Sequence, residues 1–231
     1  MQNYPKKLNI GCGFDKREGF LNVDLNAFHD PDLIADVCNL SMLPSGAFDY
    51  ILAQDVLEHL EREKSCVALR EWSRLLSPNG CLEIRVPSLL GMFELLSKPE
   101  NRAWENAEKI IHLMYGTQKY NGDYHLAGFT AEILVEYLRR SGLVVRRAIA
   151  KDDWLFDIEA VKEGQLRTPE ELIHNAYFQI LGRPADQGGL EAFSQRVQCG
   201  AMTIQDVCIE LIDSNEYQVI QTKPIYFRNQ I

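Results

Sequence analysis

The chain is 231 residues long, enough for one generous domain or a medium domain with a small companion. Hydrophobic residues make up 46% and charged residues 25%, the proportions of a globular chain with a real core. The net charge of −9, acidic in the front part and the tail alike, argues against nucleic acid as a partner gripped along its phosphates.

The opening Met1-Gln2-Asn3-Tyr4-Pro5-Lys6-Lys7 precedes only a short apolar segment, and no later run is long enough for a signal peptide or a membrane span. A cytoplasmic protein is the default expectation. The six cysteines, Cys12, Cys38, Cys66, Cys81, Cys199 and Cys208, form no Cys-x-x-Cys pair and read as reduced core thiols.

Short apolar runs at Leu8 to Ile10, Phe20 to Asp24, Leu33 to Val37, Phe48 to Ala53 and Gly80 to Val86 suit strands buried on both faces of a parallel sheet. Between the last two, Val67, Leu69, Trp72, Leu75 and Leu76 recur at helical spacing, and Ser77-Pro78-Asn79-Gly80 breaks the helix. This alternation predicts an open, doubly wound α/β sheet. After a mixed stretch, Thr130 caps a helix through Ile133, Leu134, Tyr137 and Leu138 that Gly142 stops. Val144 to Ala150 and Leu155 to Val161 then form two strands joined by Lys151-Asp152-Asp153, a connection short enough to require an antiparallel hairpin.

From Gly164 the pattern turns helical. Thr168-Pro169-Glu170-Glu171 is a helix start, with Thr168 as cap and Pro169 in the first turn. Apolar stripes at Leu172, Ala176, Tyr177 and Ile180, at Leu190, Phe193 and Val197, and at Val207, Leu211 and Ile212 predict about three short helices. The expected organisation is an α/β domain over residues 1–163 and a small all-α domain over 164–231.

The first strand stops at Gly11-Cys12-Gly13, where glycine lets the backbone turn sharply and approach a ligand. The second strand ends in Asp24, the place from which a carboxylate accepts hydrogen bonds from ribose hydroxyls. The spacing from Gly13 is short for a dinucleotide fold and no full Gly-x-Gly-x-x-Gly is present, so the implied ligand is an adenosine without phosphates rather than NAD. His29, Asp30 and Asp32 share a loop with Pro31 but have no second ligand cluster; no metal site is expected there.

These stretches resemble the class I S-adenosylmethionine-dependent methyltransferases, the type 11 group in particular. The resemblance runs from about Lys7 to Lys162 through Leu8 to Gly13, Val23-Asp24-Leu25, Ala35-Asp36-Val37 with Leu43-Pro44, Phe48 to Ile51 and Val56-Leu57-Glu58-His59-Leu60. Leu75 to Gly80, then His125 with Gly128-Phe129-Thr130, and Ser141-Gly142-Leu143 continue it. It implies a Rossmann-like sheet, mostly parallel with an antiparallel last hairpin, and S-adenosylmethionine as cofactor. Gly11, Cys12 and Gly13 would pass under its methionine and ribose, Asp24 would hold the ribose, and Leu25 would face the adenine. Asp36 or Asn39 would meet the adenine amino group, with Val37 offering a backbone amide, while Gln54 and Asp55 would line the methionine side. Asn9 and Asp15 stand where many members carry an acid and a third glycine; a neutral Asn9 implies a weaker charge interaction with the cofactor.

In-line placement supplies much of the rate of methyl transfer, and a hydroxyl acceptor gains from a positioned base. His59 and His125 are the candidate catalytic residues, with Tyr115, Asp123 and Tyr124 near enough in sequence to His125 to shape an acceptor pocket. In the tail, Tyr177-Phe178 through Gly182-Arg183-Pro184-Ala185-Asp186 to Gly188-Gly189-Leu190, then Ser214 and Glu216-Tyr217, resemble the DUF4214 helical domain. That likeness implies a loop-shaping motif with a buried Arg–Asp pair and, by analogy with modules of surface and glycan-modifying proteins, contact with a glycan or a protein partner. The expected function is methylation of an oxygen or nitrogen of a small molecule or glycan. A non-catalytic adenosyl-binding scaffold is the alternative, and a nicotinamide oxidoreductase is disfavoured by the missing fingerprint.

Overall fold

The structure is a computed structural model describing residues 4–120, 122–162, 164, 166 and 168–222. Met1 to Asn3, the expected domain boundary at Glu163 and the chain beyond Thr222 lie outside the described residues.

Seven strands form one sheet: β1 (Lys7–Ile10), β2 (Phe20–Asp24), β3 (Leu33–Ile34), β4 (Phe48–Gln54), β5 (Leu76–Pro87), β6 (Leu143–Lys151) and β7 (Leu155–Lys162). Their order is β3-β2-β1-β4-β5-β7-β6. The first five are parallel, and β7 runs antiparallel to both β5 and β6. Because the chain winds one way from β1 and the other way from β4, the strand ends diverge between them and open the crevice in which such sheets bind ligands.

Among the described residues, eight α-helices accompany the sheet: α1 (Arg62–Leu75), α2 (Leu89–Ser97), α3 (Trp104–Tyr115), α4 (Ala131–Arg140), α5 (Pro169–Leu181), α6 (Gln187–Gln198), α7 (Ile204–Ile212) and α8 (Asn215–Thr222). Helix α1 buries Ala68, Leu69, Trp72 and Leu75, whereas Val67 of the expected stripe is exposed. Thr130 caps α4 by accepting from the Ile133 amide, and Thr168 and Glu171 close a reciprocal capping box on α5, both as the sequence predicts. None of these helices is long and apolar enough to cross a membrane.

The structure corrects several expected elements. The third strand ends at Ile34 rather than Val37, because the Asp36 side chain accepts from the Cys38 amide and bends the chain. The fifth starts at Leu76, directly after α1: a register shift opposite Phe48 and Tyr50 lets Ser77-Pro78-Asn79-Gly80 stay within the strand. Gly80 fits this tight bend: a Cβ would press on the Leu76 side chain at 2.7 Å and stand 3.0 Å from the Phe48 carbonyl oxygen. Helices α2 and α3 occupy the mixed stretch, and α8 adds a fourth helix to the tail. Of the cysteines, all unpaired, only Cys12 is buried; Cys199 is exposed and the rest are half-buried, so they are not core residues as a set.

The main core spans both faces of the sheet, from Leu8 and Ile10 through Trp72 to Phe129 and Leu134. The tail has its own cluster of Ile173, Ala176, Tyr177, Leu181, Met202, Val207 and Leu211. Yet α5 also packs on β6: Phe178 belongs to the sheet's core and meets Phe156 edge-on at 5.6 Å, and the Asn175 amide donates to the Val145 carbonyl. The expected buried Arg–Asp pair is also corrected. Arg183 holds Glu216 through two hydrogen bonds, touches Asp186 at 3.2 Å, and remains about a third exposed. The reason is α8, which brings Glu216 to the guanidinium.

Candidate functional site

The crevice above β1 and β4 gathers most of the residues that the sequence singles out. Gly11 and Gly13 both have positive φ, 61° and 49°, which an L side chain rarely adopts. A Cβ on Gly11 would lie 2.7 Å from Val56, so the loop after β1 touches the turn after β4. Nothing stands within 4 Å of a Cβ on Gly13, which faces open space. Between them Cys12 is buried, and burial with the nearby Asp24 charge pushes its thiol up to about 11. That thiol is a packing group rather than a nucleophile.

Asp24 is the electrostatic centre of this corner. Its Oδ2 accepts from the Gly13 amide at 2.9 Å and its Oδ1 from the Asn26 amide at 2.8 Å. His29 Nδ1 stands 3.0 Å from Oδ1, and the carboxylate is almost fully buried. The imidazole packs against Phe14 at 4.6 Å and Phe28 at 4.0 Å, and Tyr120 approaches Phe28 at 5.5 Å. Phe14, Leu25 and Phe28 nevertheless keep large exposed faces, an apolar lip beside a carboxylate.

Asn9 has a structural role that its sequence position did not reveal. Its buried amide donates to the Asp15 carbonyl at 2.8 Å and to Asn22 Oδ1 at 3.0 Å, fastening the glycine loop to β2. A carboxylate there could not donate either bond. Arg17, also missed, bonds Asp15 Oδ2 and reaches across to Gln54 Oε1, placing a cation on the side assigned to Gln54 and Asp55. No motif marked it; only the folded loop brings it to β4.

Asp55 follows β4 with φ 54°, a left-handed conformation costly for a residue with a side chain. The residue is exposed, yet partial burial of its carboxyl raises the pKa. Val37 is buried and its carbonyl accepts from Trp72 Nε1, whereas Asp36 and Asn39 are exposed at the rim.

The turn Leu57–His59 after β4 meets the segment following α3. The amides of Leu126 and Ala127 both donate to the Glu58 carbonyl, and the His125 amide donates to that of Tyr115. This stitching brings His59 and His125 edge-on with ring centroids 4.7 Å apart. His59 Nδ1 lies 3.2 Å from the Tyr124 carbonyl oxygen, which can only accept, so Nδ1 carries the proton. Burial lowers the pKa of both histidines. The same segment reaches the other corner through Tyr120, so one stretch of chain touches both. Gly116, with φ 79°, starts it; a Cβ there would collide with the Asp123 carbonyl.

A separate cleft of about 570 Å³ lies between α2, α4, the β6–β7 hairpin and the tail, lined among others by Glu94, Phe156, Arg183 and Glu216. It shares no lining residue with the glycine loop or the histidine pair.

Residues 6–84 match the family described as methyltransferase domain. No curated protein matches the sequence. Among solved structures, an S-adenosylmethionine-dependent methyltransferase from Methanosarcina mazei superposes with a TM-score of 0.50 at 16% identity, covering 70% of this chain and 94% of that one. A protein from Pyrococcus horikoshii gives 0.49 at 18% identity, over 71% and 84%. A third, from Burkholderia thailandensis, is a 1,6-didemethyltoxoflavin N1-methyltransferase with its substrate and S-adenosylhomocysteine bound; it gives 0.45 at 15% identity, over 68% and 70%. The fold is the Rossmann-like methyltransferase fold, carrying additional C-terminal helices.

Proposed function

We propose that the chain transfers the methyl group of S-adenosylmethionine to an oxygen or nitrogen of a small molecule or glycan. The observation that carries this reading is the buried Asp24 carboxylate, tied to the amide of Gly13 at the diverging strand ends and flanked by the apolar Leu25. S-adenosylmethionine supplies, when bound, a methyl group already activated on a sulfonium.

The donor set fits such a ligand. Asp24 Oδ2 accepts one hydrogen bond and retains capacity for a ribose hydroxyl, while Oδ1 accepts from Asn26 with His29 Nδ1 3.0 Å away. Gly11, Cys12 and Gly13 offer backbone that a nucleoside can approach, and Leu25 offers a surface for adenine. Asp36 or Asn39 reads the adenine edge, with the Val37 amide as a further donor. Gln54 and Asp55 line the methionine end, where Arg17 adds a cation suited to a carboxylate. His59 and His125 face the acceptor; with Nδ1 of His59 donating to Tyr124, its Nε2 would be the atom to take a proton from an acceptor hydroxyl. Residues 1–163 form the transferase unit in this reading. The helices of 164–231 engage a glycan or a protein partner, a role that rests on the DUF4214 likeness.

One observation favours a second reading, a non-catalytic adenosyl-binding scaffold: His29 and its aromatic neighbours lie over Asp24. Calorimetric titration with S-adenosylmethionine and S-adenosylhomocysteine, repeated on Asp24→Ala, decides the cofactor site. Binding weakened about 100-fold in the variant is the expected result, the order of a lost charged hydrogen bond. Absence of binding to folded wild type refutes the reading. Binding without methyl transfer to any acceptor in a screen of sugars and small metabolites leaves the scaffold.

A further inference from the structure

Glu58 presents a physical anomaly. Its side chain is 1% exposed, and neither carboxylate oxygen has a hydrogen-bond partner among the described residues. Burial, with the like charge of Asp55, pushes its carboxyl well above the usual carboxylate range, and its own backbone amide offsets this only in part. Burying an unpaired carboxylate costs several kcal/mol, about the largest penalty a side chain can bring to a core. Such a group stays in a fold either by taking up a proton or by meeting a cation.

The surroundings supply the rest of a site. One oxygen of Glu58, one ring nitrogen of His59 and one of His125 all lie within 4.8 Å of one another. Ligand atoms around a tetrahedral ion with bonds of about 2.1 Å stand about 3.4 Å apart, so side-chain shifts of roughly an ångström close the cluster. Both imidazoles are already oriented from behind: Tyr124 holds Nδ1 of His59, and the carbonyls of Met114 and Leu113 face the ring of His125. A backbone acceptor on one ring nitrogen is the arrangement that turns the other toward a metal. Asp55 and Asp123 lie close enough to add negative potential for a cation.

We propose that Glu58, His59 and His125 bind one divalent transition-metal ion, zinc being the best match to two imidazoles and a carboxylate. Three protein ligands leave a coordination position open, the pattern of catalytic rather than structural zinc. That open position would take a water or an acceptor oxygen. This last assignment rests on the methyl-transfer reading, whereas the metal site does not. It also replaces the bare general-base role for the two histidines, since a coordinated nitrogen cannot accept a proton.

The test is metal binding by the full chain, read without any assay of activity. After chelator treatment, zinc is titrated calorimetrically and cobalt(II) by its visible absorption. One ion per chain is expected. Glu58→Gln and His125→Ala should each weaken binding at least as much as the roughly 10–100-fold that loss of an outer-shell partner brings. Cys199→Ser, which removes the exposed thiol, should leave it unchanged. Glu58→Gln keeps the shape and lacks the charge, so it folds if any variant does and decides the matter alone should His125→Ala misfold. Native wild type that binds neither metal, or undiminished binding in folded Glu58→Gln, overturns the proposal. Glu58 would then be a buried neutral acid.

Discussion

The corner around Asp24, at the end of β2, and the corner around Glu58, after β4, flank β1 in one sheet, yet they are built in opposite ways. At Asp24 both carboxylate oxygens are matched by partners close along the chain: Gly13 and Asn26 supply amides within a dozen residues, and the His29 ring stands 3.0 Å away without a hydrogen bond of its own. Near Glu58 stands His125, carried in by a segment that no local rule positions, and the carboxylate is left without a hydrogen-bond partner. A site completed locally is self-sufficient when folded; one completed from afar is poised for something further to finish it.

Three substitutions probe how far local and distant construction differ. The largest effect is expected from Phe178→Ala, which empties a position between α5 and β7. It should cost about 3–5 kcal/mol and shift a single thermal transition to lower temperature. Two separate transitions, with only the smaller affected, would show that the tail is not joined to the sheet in the way its packing indicates. Asn9→Asp comes next. It removes two donated hydrogen bonds and buries a charge beside the Asp15 carbonyl, so denaturant titration should register a loss of about 1–3 kcal/mol. If stability held and S-adenosylmethionine bound more tightly, the charge argument would outweigh the fastening role. Thr168→Ala tests the most local device of all, a cap within one turn. A loss of about 1 kcal/mol is expected, with cofactor affinity unchanged.

The same distinction explains what could be read in advance. The strand–helix alternation, the caps at Thr130 and Thr168 and the reversed final hairpin were legible because spacing over a few residues determines them. Gly11, Gly13 and Asp24 were legible for a similar reason: a sharp turn and a strand-end acid leave a local trace. The fastening role of Asn9 left no trace, since one of its partners, the Asp15 carbonyl, carries no side-chain signal. Arg17, the cover of His29 over Asp24, the Arg183–Glu216 pair and the meeting of Glu58 with His125 depend on contacts across turns or long separations. His59 and His125 could be named as interesting, but their juxtaposition with a carboxylate could not. The third strand was overrun because Asp36 looks like a strand-end acid and acts instead as a turn former.

The segment from Gly116 to Ala127 has a thermodynamic consequence. It is bolted to the Glu58 carbonyl at one end, while its Tyr120 rests on Phe28 above the Asp24 corner. Any ligand that draws it down on one side changes its free energy on the other, and linkage requires the effect to be mutual. If both proposed sites take their ligands, occupancy at His59 and His125 and occupancy at Asp24 are expected to be coupled. The affinity measured for one ligand will depend on whether the other is present, and by the same factor in either order of addition.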